Sequence, residues 1–156
     1  MVVKPTNCEN AINTKNKNAM NDFVIDDRDH VPKDHIMVSK SKISPVNMFD
    51  FLNNIEYHPC LGNTLAICFN GNVTPCTMMR NHIFGNVRTR KLVSILGLEW
   101  ERIIKFWKLN LDKIEKCTSC EFRYSCTDCR ALEESLTGKT DGKILCNYNP
   151  KEGVWQ

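Results

Sequence analysis

The sequence predicts an α+β fold: a small β-hairpin, short helices and loops around metal, behind a poorly structured N-terminal segment. Three observations predict it. Eight of nine cysteines lie within residues 57–156. Apolar runs there are short and change period, from β-prone alternation to helical spacing. Residues 1–43 are polar and rich in Asn, Lys and Asp, with few apolar anchors to offset the entropy of ordering.

Length and charge bound the function. A chain of 156 residues is one domain, or one domain and a tail. A formal charge of +3, evenly spread, argues for neither nucleic acid nor a membrane surface. No secretory signal and no apolar run of membrane-spanning length are visible. Without export, nine cysteines read as metal ligands rather than disulfides, and the odd count fits a disulfide framework poorly. A reducing cytoplasm is the expected compartment.

Three segments follow. Residues 1–43 form a flexible or remnant segment. Phe23-Val24-Ile25 and Ile36-Met37-Val38 read as short docking strands or as remnants of a larger domain, and Cys8 stands alone in the segment. Residues 44–56 form a connecting helix over about 45–55, with Ser44-Pro45 as N-cap and first position and Met48, Leu52 and Ile55 on one face. Residues 57–156 form the cysteine-bearing domain.

Within it, Thr64–Phe69 and Val73–Cys76 flank Asn70-Gly71-Asn72 and read as a hairpin. Phe84–Val87 reads as a turn into a short helix carrying Leu92, Ile95 and Leu96 and stopped by Gly97. A second helix over about 98–109 places Trp100, Ile103, Ile104 and Trp107 at i, i+3, i+4 and i+7, a core stripe. After the cysteine run, Ala131–Leu136 reads as a helix and Gly138 and Gly142 bracket a loop. Ile144-Leu145-Cys146 reads as extended, Asn149–Gly153 as a turn, and Trp155 as folding back.

The chemistry lies in the thiols. Cys117-x₂-Cys120-x₅-Cys126-x₂-Cys129 puts four cysteines in thirteen residues, and Cys146 follows. Cys68 reads as a core position by strand alternation. A structural zinc takes four ligands from two knuckles. One zinc would leave Cys60, Cys76 and Cys146 unexplained. Two Cys₄-type clusters account for all seven thiols with one vacancy. The bacterial ferredoxin run ending in Cys-Pro is absent. Arg123 and Arg130 read as solvated positive charge, and Glu115, Glu121 and Asp128 as surface or turn groups, since nothing pairs them for acid–base work.

Taken together, Cys60-x₁₀-Gly71-x₄-Cys76, the four-cysteine run and Cys146 resemble the SPASM domain, the C-terminal extension of many radical SAM enzymes that modify peptides. Phe84-Gly85-Asn86-Val87, Asp112–Glu115 and Asp128-Cys129-Arg130-Ala131 add to the likeness, which covers about residues 57–156. The resemblance implies two auxiliary [4Fe–4S] clusters. Carried over by position, Cys60, Cys76 and Cys129 hold the first, and Cys117, Cys120, Cys126 and Cys146 the second. The fourth position of the first cluster is open, or is taken by His58 or Cys68.

No Cys-x₃-Cys-x₂-Cys triplet is present, so no S-adenosylmethionine site and no catalytic residue are assigned to this chain. It is expected to engage a peptide substrate and transfer electrons, as part of or partner to a radical SAM barrel. The rival expectation is a zinc-binding interaction module with no redox role.

Overall fold

The hairpin at Asn70-Gly71-Asn72 forms. The computed structural model describes residues 2–5, 38, 40, 43 and 45–155. In it, β2 (Thr64–Ile67) and β3 (Asn72–Thr74) pair antiparallel with Ala66 opposite Thr74 and Ile67 opposite Val73. Gly71 takes φ +89°, and a Cβ there would meet the Asn86 side chain at 2.6 Å. β4 (Gly85–Asn86) continues the sheet beside β3. The expected turn at Phe84–Val87 is thus partly strand.

A strand not foreseen from the sequence, β1 (Val2–Pro5), pairs parallel with β2, giving the order β1-β2-β3-β4. Cys8 and Phe23-Val24-Ile25 lie outside the described residues. Of Ile36-Met37-Val38 only Val38 is described. It bridges to Cys146, and its N–H donates to the Leu145 carbonyl at 2.7 Å.

The connecting helix, α1 (Met48–Glu56), begins later than Ser44-Pro45 suggests. Asn47 is the N-cap, and its side-chain oxygen accepts the Asp50 N–H at 2.8 Å. The helix meets the cysteine run through Asn54, which donates to the Tyr124 carbonyl, and through an edge-on Phe51–Tyr124 contact.

Residues 92–107 form one helix, α2 (Leu92–Trp107), where two were expected. Gly97 does not stop it. A glycine ends a helix by taking a left-handed φ, and Gly97 is not among the positive-φ residues. It costs the helix about 1 kcal/mol relative to alanine. Burial of Ile95, Ile103 and Trp107 on one face outweighs that. These residues pack with Leu65, Val73 and Phe84 as the main core. Gly85 lets the helix approach, since a Cβ there would sit 3.1 Å from Ile95. Of the two tryptophans, Trp107 is core, while Trp100 is 45% exposed and stands edge-on to it.

Beyond α2 come two short 3₁₀ turns, Leu111–Lys113 and Glu115–Cys117, then the cysteine run. α3 (Arg130–Thr137) follows and ends at Gly138. The tail closes as β5 (Tyr148–Asn149) against β6 (Val154–Trp155), with Trp155 stacked near Tyr148 and Phe122.

Candidate metal centre

Several of the predicted thiols sit at the end of an element or in a tight turn. Cys60 follows His58 in the turn before β2, Cys76 follows β3, and Cys129 is the residue capping α3. Cys76 and Cys129 pack on a small core of Leu61, Met79 and Ala131. Cys117 ends the second 3₁₀ turn. With Cys126 it is buried beside Val38, Leu111 and Ile114, and Cys146 packs against the same cluster. Lys116 reaches across to donate to the Cys146 carbonyl at 2.5 Å. Cys68 is buried at the hairpin turn, where its N–H donates to the Asn72 carbonyl.

Which thiols would sense one another's ionisation follows from proximity. The Cys76 sulfur feels Cys129 and Cys60. Cys117 feels Cys120 and Cys146, Cys126 feels Cys146 and Cys117, and Cys120 feels Cys146. One neighbourhood therefore contains Cys60, Cys76 and Cys129, and another contains Cys117, Cys120, Cys126 and Cys146. Neither is closed on a point: among the described residues, no three Cys, His, Asp or Glu side chains are placed to hold a single metal ion.

The donor set fits an iron–sulfur group. The sulfurs are soft ligands, and Cys76, Cys117, Cys120, Cys126, Cys129 and Cys146 carry free thiols. The Met78 N–H points at the Cys76 sulfur at 3.4 Å, a contact that favours a thiolate.

Burial pushes the second group's thiols up: from the ordinary 9.0, Cys117 rises to about 11 and Cys126 to about 12, although Lys143 pulls both down. A thiol raised on folding contributes stability that is full below the unfolded value and lost as pH climbs through the folded one. The metal-free chain is therefore expected to melt at falling temperature from about pH 9 upward. Replacing Cys117 and Cys126 together by serine should flatten that decline. A parent melting temperature constant from neutral pH to about pH 12 would contradict the burial of these thiols.

Between the two groups lies a set of buried charges that sequence reading missed. Asp128 is 4% and Arg130 1% exposed. Arg130 grips Asp128 with two nitrogens, Nη2 at 2.6 Å and Nε. Its Nη1 donates to the carbonyls of Gly142 at 2.8 Å and Thr140 at 3.2 Å. Lys143 Nζ joins Asp128 and also Glu133, at 3.1 Å. Glu133 accepts the N–H groups of Ile144 and Leu145. His58 Nδ1 accepts the N–H groups of Cys60 and Leu61 at 3.0 and 3.1 Å, so its proton is on Nε2, which faces Asp128 at 3.4 Å. That ring has no lone pair left for iron.

Asp128 and Arg130 are therefore neither surface groups nor solvated charge. Arg123 does lie nearer the surface, pairing with Asp112 at 2.8 Å and lying over the Tyr124 ring. The one available signal was local: Arg130 and Glu133, three apart at the start of a helix, with Asp128 two before it.

Residues 59–121 match the family model of SPASM, an iron–sulfur cluster-binding domain. No curated protein and no solved structure matches the chain. Of the seven predicted ligands, the matched segment contains Cys60, Cys76, Cys117 and Cys120; Cys126, Cys129 and Cys146 lie beyond it. Among the described residues, no helix is long and apolar enough to cross a membrane.

Proposed function

From a SPASM iron–sulfur cluster-binding domain at residues 59–121, we propose that the chain holds two [4Fe–4S] clusters and serves radical SAM-dependent peptide maturation. Its part is electron transfer and engagement of the peptide. Cys60, Cys76 and Cys129 would hold the first cluster; Cys117, Cys120, Cys126 and Cys146 the second. The observation that carries this is the family match, supported by the packing of Cys76 and Cys129 on one small core and of Cys117, Cys126 and Cys146 on another.

Bound clusters would supply one-electron chemistry as a peptide radical forms or collapses. The chain's own residues do the rest. Burial of Cys117 and Cys126 shields two of the second group's four sulfurs from water. The first group has three thiols, one of them the exposed Cys60, so it opens toward a substrate. The catalytic barrel would be supplied by a partner or by further chain.

Anaerobic purification tests this. A brown protein with about eight irons is expected, and Cys120→Ala should lower the count to about four. A colourless protein with stoichiometric zinc would refute the clusters in favour of an interaction module. An unchanged iron count in Cys120→Ala would refute the ligand set.

A further inference from the structure

The buried charges between the two thiol neighbourhoods touch the polypeptide on both sides. Asp128 is two residues from Cys126, in the second group, and adjacent to Cys129, in the first. Through His58 its carboxylate meets the turn that presents Cys60, because the same ring accepts the Cys60 N–H. Through Lys143 it meets the loop that presents Cys146. Glu133 holds the same loop by the N–H of Leu145, the residue before Cys146. One carboxylate thus stands in line between Cys60 and Cys146.

In formal charge, Asp128 and Glu133 are balanced by Arg130 and Lys143. The set fixes position. Bidentate, fully buried contacts have few alternative geometries.

We propose that the Asp128 ion cluster couples the two thiol groups, so that loading one with metal raises the loading of the other. This rests on the cluster assignment above. Metal on Cys146 holds the 139–146 loop, which keeps Lys143 on Asp128. Asp128 then holds the His58 ring, and the ring holds the Cys60 turn. Linkage requires the reverse effect to be equal. Asp128, Lys143 and His58 are positioning residues in this scheme, since none need touch metal.

The test is anaerobic reconstitution of the full chain with ferrous iron and sulfide, followed by native mass spectrometry. The comparison is the iron midpoint for loading the second group in the parent and in Cys76→Ser, which disables the first group. Coupling predicts a midpoint about tenfold higher in Cys76→Ser, within the usual range of linkage factors. It also predicts that Asp128→Asn raises that midpoint more in the parent than in Cys76→Ser, because only the parent has coupling left to lose. A merely structural Asp128 would weaken loading in both backgrounds alike, and that result overturns the proposal.

Should Asp128→Asn fail to fold, Lys143→Gln takes its place, with Lys143→Arg expected to restore coupling. Equal midpoints in the parent and Cys76→Ser overturn coupling while leaving both clusters intact. A parent that takes up no iron overturns the cluster assignment, and coupling with it.

Discussion

Arg130→Met is expected to lower the unfolding free energy of the isolated chain by about 3–5 kcal/mol, the range for breaking a buried ion pair from one side. The guanidinium side chain is fully buried, as is that of Asp128. Methionine fills similar volume but withdraws both contacts to Asp128 and leaves the Gly142 and Thr140 carbonyls without their donor. Asp128 then keeps only Lys143 and the His58 ring. A buried carboxylate short of a cation costs more than the lost attraction alone.

The same residue gives a pH signature. Burial pushes the Asp128 carboxyl up, but His58, Arg130 and Lys143 outweigh it and hold the group well below the usual carboxylate range. A depressed carboxyl contributes stability that is present above its unfolded value, 3.8, and lost as pH falls toward the folded one. Without Arg130 that depression shrinks, so acid unfolding should begin at higher pH. Urea denaturation at neutral pH and an acid titration followed by circular dichroism measure both effects. Loss of under about 1 kcal/mol would mean that the guanidinium is solvated after all.

The parts of the fold that depend on near neighbours were legible in the sequence. Asn70-Gly71-Asn72 demanded a hairpin because the left-handed position is decided by one residue. Gly138 ended α3 for the same local reason. Gly97 was misread because the decision there is tertiary: the face carrying Ile95, Ile103 and Trp107 is continuous across it. β1 was missed because its partner strand lies some sixty residues on, and parallel pairing has no turn signature.

The candidate site divides in the same way. The thiols announced themselves by spacing, but spacing alone left zinc and clusters both open. Their sorting into threes and fours came from resemblance; the structure packs Cys76 and Cys129 on one small core and Cys117, Cys126 and Cys146 on another. The ion cluster was illegible. His58 and Asp128 are 70 positions apart, and a lone Asp-x-Arg is more often solvent-facing.

Trp107→Ala should cost about 3–5 kcal/mol, the range for deleting a buried aromatic ring. Trp107 is 5% exposed and packs in the core shared by α2 and the sheet. Its indole N–H also donates to the Thr64 carbonyl at 2.8 Å, where β2 begins. Its own carbonyl accepts the His58 N–H at 2.7 Å. The ring therefore anchors the sheet, and the backbone beneath it anchors the turn that carries Cys60.

Trp107→Phe separates these contributions. Phenylalanine keeps most of the ring burial and loses the indole donor, leaving the Thr64 carbonyl unmatched on that side. A cost of about 1–3 kcal/mol is expected from that loss together with the smaller ring. Because the His58 contact is made by the backbone, Trp107→Phe should leave the first thiol group in place, whereas the cavity left by alanine lets the end of α2 shift. Alkylation of Cys76, which is only partly exposed, reads the difference. Its rate should rise in Trp107→Ala and stay near the parent value in Trp107→Phe. Equal acceleration in both would move the anchor from the ring to the indole hydrogen bond.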